Sequence, residues 1–545
     1  MKPRWIFAAA ATLLCCIGCV GVDNELGGSM LPVNHTYKVI SPDPVEIPVK
    51  MKLSDSLSAY SSSRITIGSI RNDEEFGLST RGSCITLVPM YVDKLDLGTN
   101  PEFKSFHFSA SADSSSVCDL NQSNILQSVY VYELDAPDPN YEALCKTVPS
   151  HGSKMITTTV PVIGPGDSLS FNFTKEFGEK YLTITEEESK DISLFTKRFP
   201  GIYITTGNPV GRGGRFNIFQ LQLGYDTDNG YITGSIAILR FNSTWDIDGE
   251  QVKKDSLLYF WYSPTDFFDL DSLLSNATTG SFPQYCANVT GDASKSKVGD
   301  ATDYIYIEGG GGVKPVISAK TLKDKAVAAI TANGHDPKKA IINKATITMH
   351  YLAPDEKFET MHKVPQILSP TCRIKTSDTT CTYMGLTDAS DSNEDQGNIH
   401  QYQMTYSPDI TYHLQRLLGV EDDSKFDDGS YDIWMLVQHN DIVTTITAGN
   451  SEMSDYFNYL AYQSMMGGMY GGYGGYGYGG YGSYGYSNYY NYAMMAQMYG
   501  SSSSSSTSTP TLDRDRYYYC KLYGPSAADA TLRPSFSFTY SIPNE

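Results

Sequence analysis

Hydrophobic residues along this chain come in short runs, and several runs alternate with polar positions. Ser128-Val129-Tyr130-Val131-Tyr132, Ile236-Ala237-Ile238-Leu239-Arg240-Phe241, Leu257-Leu258-Tyr259-Phe260-Trp261-Tyr262 and Ala345-Thr346-Ile347-Thr348-Met349-His350-Tyr351 are rich in β-branched and aromatic residues. Gly, Asn, Asp or Pro separate the runs, which predicts strands bounded by turns. Strands that bury one face predict antiparallel sheets packed as sandwiches. Asp228-Asn229-Gly230 lies between 219–223 and 231–239 and predicts a hairpin.

Helical periodicity is scarce. Over residues 408–418, Ile410, Leu414, Leu417 and Leu418 share one face, and Gly419 suits the end. Ser407 could cap this helix, Pro408 suits its first position, and Asp409 complements its positive end. A second helix is expected over Ala319–Ala332. The expected fold is therefore mainly β: tandem antiparallel β-sandwich, jelly-roll-like domains with few short helices. The expected organisation is a signal peptide 1–18, a Gly- and Pro-rich tether 19–45, one β-rich domain over 46–300 and a second over 301–545.

Residues 456–512 interrupt the second domain with a Tyr/Gly/Ser-rich stretch without charge. Within it, 462–499 hold 12 Tyr, 11 Gly and 6 Met, and no spacing there repeats with a strand or helix period. One reading is an inert expansion of a loop. The other is an adhesive loop whose rings stack on sugars, peptides or each other. The expected neighbours across this insertion are strands at 433–438 and 517–522.

The first residues read as an export signal. Lys2 and Arg4 precede a run of apolar residues, and Gly18 stands before Cys19. The run is too short to span a bilayer as a helix. Cys16-Ile17-Gly18-Cys19 resembles a bacterial lipobox, with Cys16 where Leu is usual. That resemblance implies an acylated Cys19 and a protein held on a membrane by lipid rather than by a spanning helix.

The formal net charge is −20, and losing Lys2 and Arg4 makes it more negative. Phosphate backbones would be repelled, so nucleic acid is not an expected partner. Seven cysteines follow Cys19: Cys84, Cys118, Cys145, Cys286, Cys372, Cys381 and Cys520. The odd number leaves at least one unpaired within a single chain. Cys372 and Cys381 are the candidate disulfide, because Thr376-Ser377-Asp378-Thr379 could turn the chain between them. Two small buried thiols is the other reading.

Further residues follow a common order. Asp23, Leu26-Gly27 and Leu31-Pro32 come first. Phe195, Phe199-Pro200-Gly201-Ile202-Tyr203-Ile204, Ile307-Glu308-Gly309-Gly310-Gly311-Gly312 and Ile341-Ile342-Asn343-Lys344-Ala345-Thr346-Ile347 follow. The helix over 412–418 and Arg533-Pro534-Ser535-Phe536-Ser537-Phe538-Thr539-Tyr540 complete the series. Together they resemble the Bacteroidota lipoprotein family of domain of unknown function 4270, over roughly 20–435 and 517–541. The Tyr/Gly stretch departs from that pattern. The resemblance implies a β-rich outer-membrane lipoprotein, often at the cell surface, and brings no catalytic residues.

Familiar chemical motifs are weak. Residues 309–312 run into Val313-Lys314-Pro315 rather than the Gly-Lys-Ser/Thr of a phosphate loop, so a turn of close backbone approach is expected. Around Asp388 to Asn398, and at Asp422-Asp423 and Asp427-Asp428, acidic residues miss the calcium-hand spacing and read as solvated loops. The nine histidines show no HxxxH spacing, the cysteines after Cys19 form no CxxC, and there is no GxSxG elbow. No metal or cofactor is expected, and the chain is expected not to be an enzyme. Asp-Ser-Leu recurs at Ser56, Ser168, Ser256 and Ser272, which resembles the Bacteroidota O-glycosylation acceptor. The leading expectation is a lipid-anchored outer-membrane protein, facing the cell surface, that serves as a structural or accessory subunit of outer-membrane assembly or export proteins. The alternative is a glycan- or host-binding adhesin using the Tyr/Gly-rich loop.

Overall fold

The computed structural model describes residues 37–445 and 505–543, apart from short segments within 55–62, 73–75, 119–123, 138–144, 276–281, 353–362, 376–380 and 389–396 and a few single positions. The expected signal peptide, Cys19, Ser56 and the Tyr/Gly segment 462–499 lie outside the described residues. Strands dominate what is described, and every ladder between named strands is antiparallel.

A 13-stranded sheet holds the first core. Its central member is the 19-residue strand Thr99–Val117. The first half of that strand pairs with Ile236–Ile247, and the second half pairs with Gly213–Gln220. Register shifts at Ile218/Phe219 and Arg240/Phe241 bend these ladders, so one strand passes from one leaf of a sandwich to the other. Ile65, Ile67, Val129, Val131, Ile202 and Ile204 of one leaf meet Phe106, Phe108, Leu239, Phe241 and Phe260 of the other. Helices Lys175–Tyr181 and Ile192–Arg198 close this core with Phe177, Tyr181 and Phe195, and the Phe106 and Tyr181 rings are 5.4 Å apart. Phe106→Ala would empty a site with no exposure and should cost about 3–5 kcal/mol.

The second core lies between a seven-stranded and a six-stranded sheet. Ser535–Pro543 shows how the sequence specifies it: Phe536, Phe538, Tyr540 and Ile542 point inward and alternate with half-exposed residues. Helix Ala319–Ala332 forms where expected, with Ser318 accepting from the Thr321 N–H and Leu322, Ala326 and Ile330 buried.

Several expectations are corrected. Residues 37–53 belong to the second core, because Tyr37–Ile40 pairs with Ser535–Pro543 and Lys50–Leu53 pairs with Val313–Ile317. The expected tether 19–45 therefore ends in a strand, and the first domain does not begin at residue 46. The later helix spans Thr411–Leu418 rather than 408–418. The Ile347 N–H donates to the Pro408 carbonyl, so the chain is still strand-like there, and Ser407 caps nothing. Asp388 supplies the cap instead, accepting from the Tyr412 and His413 N–H groups. The expected 228–230 turn does form, between Gln222–Asp226 and Tyr231–Gly234, and Asp226 accepts from the Asp228 and Asn229 N–H groups.

The insertion also ends before 512. Ser505–Leu512 is a strand, and it pairs with Gln438 to Thr445 of the strand Ile433–Thr445. The expected partner, Tyr519–Tyr523, pairs with Tyr304–Glu308 instead. The last pair of the first ladder, Thr445 with Ser505, brings the two ends of the intervening segment together.

Candidate functional site

A cluster of buried charged side chains lies where the two cores meet. Residues 309–312 form the turn between Tyr304–Glu308 and Val313–Ile317, and the Gly312 N–H closes it on the Gly309 carbonyl. Gly310 takes φ 59°, and a Cβ there would stand 2.7 Å from the Arg81 guanidinium. Glycine thus lets this backbone come against the first sheet, which is the close approach expected of the turn.

Lys314 points back under its own turn. Its Nζ donates to the carbonyls of Glu308, Gly310 (3.2 Å) and Gly312 (3.1 Å) and to Ser54 Oγ (3.2 Å). Glu308 accepts from Ser79 Oγ at 2.6 Å and from the Ser294 N–H at 3.2 Å. Arg81 donates to Asp292 at 2.8 Å, with 1% and 5% of the two side chains exposed, and lies over the Phe216 ring at 4.4 Å. Burial pushes the Glu308 carboxyl up, and Asp292 adds repulsion. Burial pushes the Lys314 ammonium down, against the pull of Asp292 and Glu308. The Cys145 thiol is raised by the same burial.

A second knot continues this seam. Asp513 accepts from the Asp515 and Arg516 N–H groups, from the Arg516 guanidinium at 2.8 Å and from Tyr518 Oη at 2.7 Å. Burial alone would raise the Asp513 carboxyl, but Arg516 and these hydrogen bonds hold it down at about 2. Asp515 reaches into the first sheet, accepting from Thr66 Oγ1 at 2.8 Å and from Asn288 at 3.3 Å. The Tyr517 N–H donates to Ser116 Oγ, and Asn72 donates to Tyr517 Oη. Polar partners within the protein meet most of these side chains; Arg81 Nε and Asn72 Oδ1 are exceptions. The arrangement is suited to fastening the two cores together. Its residues were not anticipated from the sequence, although Asp513-Arg514-Asp515-Arg516 before three tyrosines is a signal that could have found it.

The structure does not bring Cys372 and Cys381 together, which corrects the candidate disulfide. Ile367–Lys375 and Cys381–Gly385 do pair, but Cys381 faces Lys375 and Cys372 faces Met384. Three positions along a strand are roughly 10 Å and reverse the face, beyond disulfide reach. Cys372 packs against the second core, and both thiols are free.

The candidate acceptor serines are dispersed. Ser168 is exposed just before the strand Leu169–Asn172. Ser256 is half-buried opposite Phe241 on Glu250–Tyr262, and Ser272 sits in the helix Leu270–Ser275, donating to Asp269. Of the acidic loops, Asp388 caps a helix, and Asp423 pairs with Lys320 and Lys323 at 2.9 and 2.8 Å. Among the described residues no group of three or more His, Cys, Asp or Glu is placed to hold a metal ion, and no helix is long and apolar enough to cross a membrane. No family model matches the chain, and neither a curated protein nor a solved structure is similar to it at a significant level.

Proposed function

We propose that this protein is a lipid-anchored lipoprotein of a bacterial outer membrane, facing the cell surface, and that it acts there as a non-enzymatic accessory subunit of an outer-membrane protein complex. The observation that carries this reading is the ladder between Ile433–Thr445 and Ser505–Leu512. Ile433–Thr445 pairs with Ile367–Lys375 only as far as Gln438, and from there its ladder runs on with Ser505–Leu512 to Thr445 and Ser505. A two-stranded ribbon rooted in a packed sheet is a way to present the Tyr/Gly-rich stretch at its end. Tyr offers a wide contact face with a polar tip, and Met adapts to irregular surfaces. The Gly18-Cys19 junction and the ordered resemblance to domain of unknown function 4270 support the anchor and the compartment.

Affinity purification of the full chain from detergent-solubilised envelopes tests the reading. Stoichiometric recovery of a β-barrel protein is expected, and removing 446–504 should lose it while the chain stays folded. Recovery as a lone monomer would count against the accessory role. Cys19→Ala should release the chain from membranes; equal incorporation of labelled fatty acid by variant and wild type would refute the anchor. The same ribbon also suits a glycan- or host-binding adhesin, for which a lone monomer that binds polysaccharide through 446–504 is the expected result.

A further inference from the structure

A second face combines aromatic rings with positive charge, and it is separate from the ribbon. Tyr304–Glu308 and Tyr519–Tyr523 form a two-stranded sheet with Tyr304 opposite Tyr523, Tyr306 opposite Lys521 and Glu308 opposite Tyr519. Between these pairs, Ile305, Leu522, Ile307 and Cys520 point into the second core. The other face is therefore Tyr304, Tyr306, Glu308, Tyr519, Lys521 and Tyr523, with the Glu308 carboxylate at its inner end buried and engaged by Ser79 and the Ser294 N–H. Tyr304 is 38% exposed, and Tyr306, Tyr519, Lys521 and Tyr523 are partly open.

Two lysines lie among these rings. Lys521 Nζ is 5.8 Å from the Tyr304 ring centre and 5.7 Å from those of Tyr306 and Tyr519. Lys297 Nζ is 4.3 Å from the Tyr306 ring centre. Phe76 closes the buried end, edge-on to Tyr306 and Tyr519 at 6.4 and 5.2 Å. The rings are thereby held at fixed tilts, and a ligand that stacks on them would lose little side-chain freedom from the protein.

We infer that this face binds an acidic polysaccharide, one whose sugar rings carry carboxylates. Tyrosine faces suit the apolar C–H face of a sugar ring, with the hydroxyl tips left to hydrogen-bond its edges. The two ammonium groups suit carboxylates at neighbouring rings. Charge complementarity argues for an anionic occupant. The chain carries a formal net charge of −20, so an acidic polymer would be repelled from most of it and drawn only to a face where cations gather. An acidic peptide shares the charge but lacks the flat C–H faces that use four tyrosines. This inference goes beyond the anchored-subunit reading and does not depend on it, because a chain that finds no barrel partner still carries the face.

The test is calorimetric titration of the full-length chain in detergent with oligogalacturonate, with a neutral galactan oligosaccharide of equal length, and with polyglutamate. Oligogalacturonate should bind, at least about tenfold tighter than either other probe. Tyr304→Ala should weaken it about tenfold without moving the thermal midpoint, because this ring is largely outside the core. Lys521→Gln with Lys297→Gln should remove its salt dependence and bring it to the level of the neutral sugar. Absence of oligogalacturonate binding, equal or tighter binding of polyglutamate, or undiminished binding by these variants would overturn the inference.

Discussion

The strand Tyr304–Glu308 carries two groups of charged and aromatic residues with opposite fates. At its inner end Glu308 is 1% exposed and shares the seam with Arg81, Asp292 and Lys314. At its outer end Tyr304 is 38% exposed, and the Lys521 ammonium stands over its ring. Both groups set a cation against a ring. In the seam each cation also has a carboxylate or carbonyls in contact, because a buried charge left unpaired is costly. On the outer face water can also solvate the ammonium, so ring and charge contribute little to folding. Burial thus separates a fastening from a contact surface on five consecutive residues.

The largest expected effect comes from breaking the seam. Arg81→Met leaves Asp292 buried without its guanidinium and should cost about 3–5 kcal/mol, with loss of soluble protein as the extreme outcome. Chemical denaturation measures it, and a loss below about 1 kcal/mol would show that the pair is not needed to hold the cores together.

Lys314→Met keeps most of the stem and removes the ammonium. The Glu308 carbonyl and Ser54 Oγ lose this donor, and the Gly310 and Gly312 carbonyls keep only Ser54 of the two donors described, which should cost about 1–3 kcal/mol. An unchanged denaturation midpoint would mean that water enters the turn in its place.

The next effect is pH dependence in the second core. His413 is buried against the Tyr431 carbonyl, and burial holds its imidazole down at about 4 from an ordinary 6.5. The folded state therefore prefers neutral His413. Its stabilising share is present above pH 6.5 and is lost as pH falls from 6.5 toward 4, by up to a few kcal/mol at ~1.4 per pH unit. His413→Gln should flatten that limb. Glu308 acts in the opposite sense, since its raised carboxyl favours folding as pH falls through its folded value. A steeper acid limb in His413→Gln than in wild type would contradict the assignment.

The smallest effects belong to groups outside both cores and to the separated thiols. Tyr304→Ala should stay within about 0.5 kcal/mol of wild type. Cys381→Ser should do the same and leave electrophoretic mobility without reductant unchanged, because no bridge to Cys372 is lost. A mobility shift confined to the wild type would show that the two cysteines do pair.

What the sequence determined by itself is local and periodic. Alternation placed 128–132, 236–241, 257–262 and 345–350 on strands, and Ser318 with Leu322, Ala326 and Ile330 specified a helix, because side-chain direction repeats every two or 3.6 residues. What only the tertiary structure decided is partnership. Ser505–Leu512 has no apolar alternation to reveal it, since its ladder is made by backbone groups. The start of the helix at Thr411 rests on Ile347 and on Asp388, which are distant in sequence. The same holds for the three-residue offset of Cys372 and Cys381 and for the pairing of Tyr519–Tyr523 with Tyr304–Glu308. Asp513-Arg514-Asp515-Arg516 shows its charge in the sequence but not its partners, since Thr66, Asn288 and Tyr518 close around it only in the fold. Periodicity tells a residue which way to face; which distant chain it faces depends on register and burial, and no window of local sequence contains them.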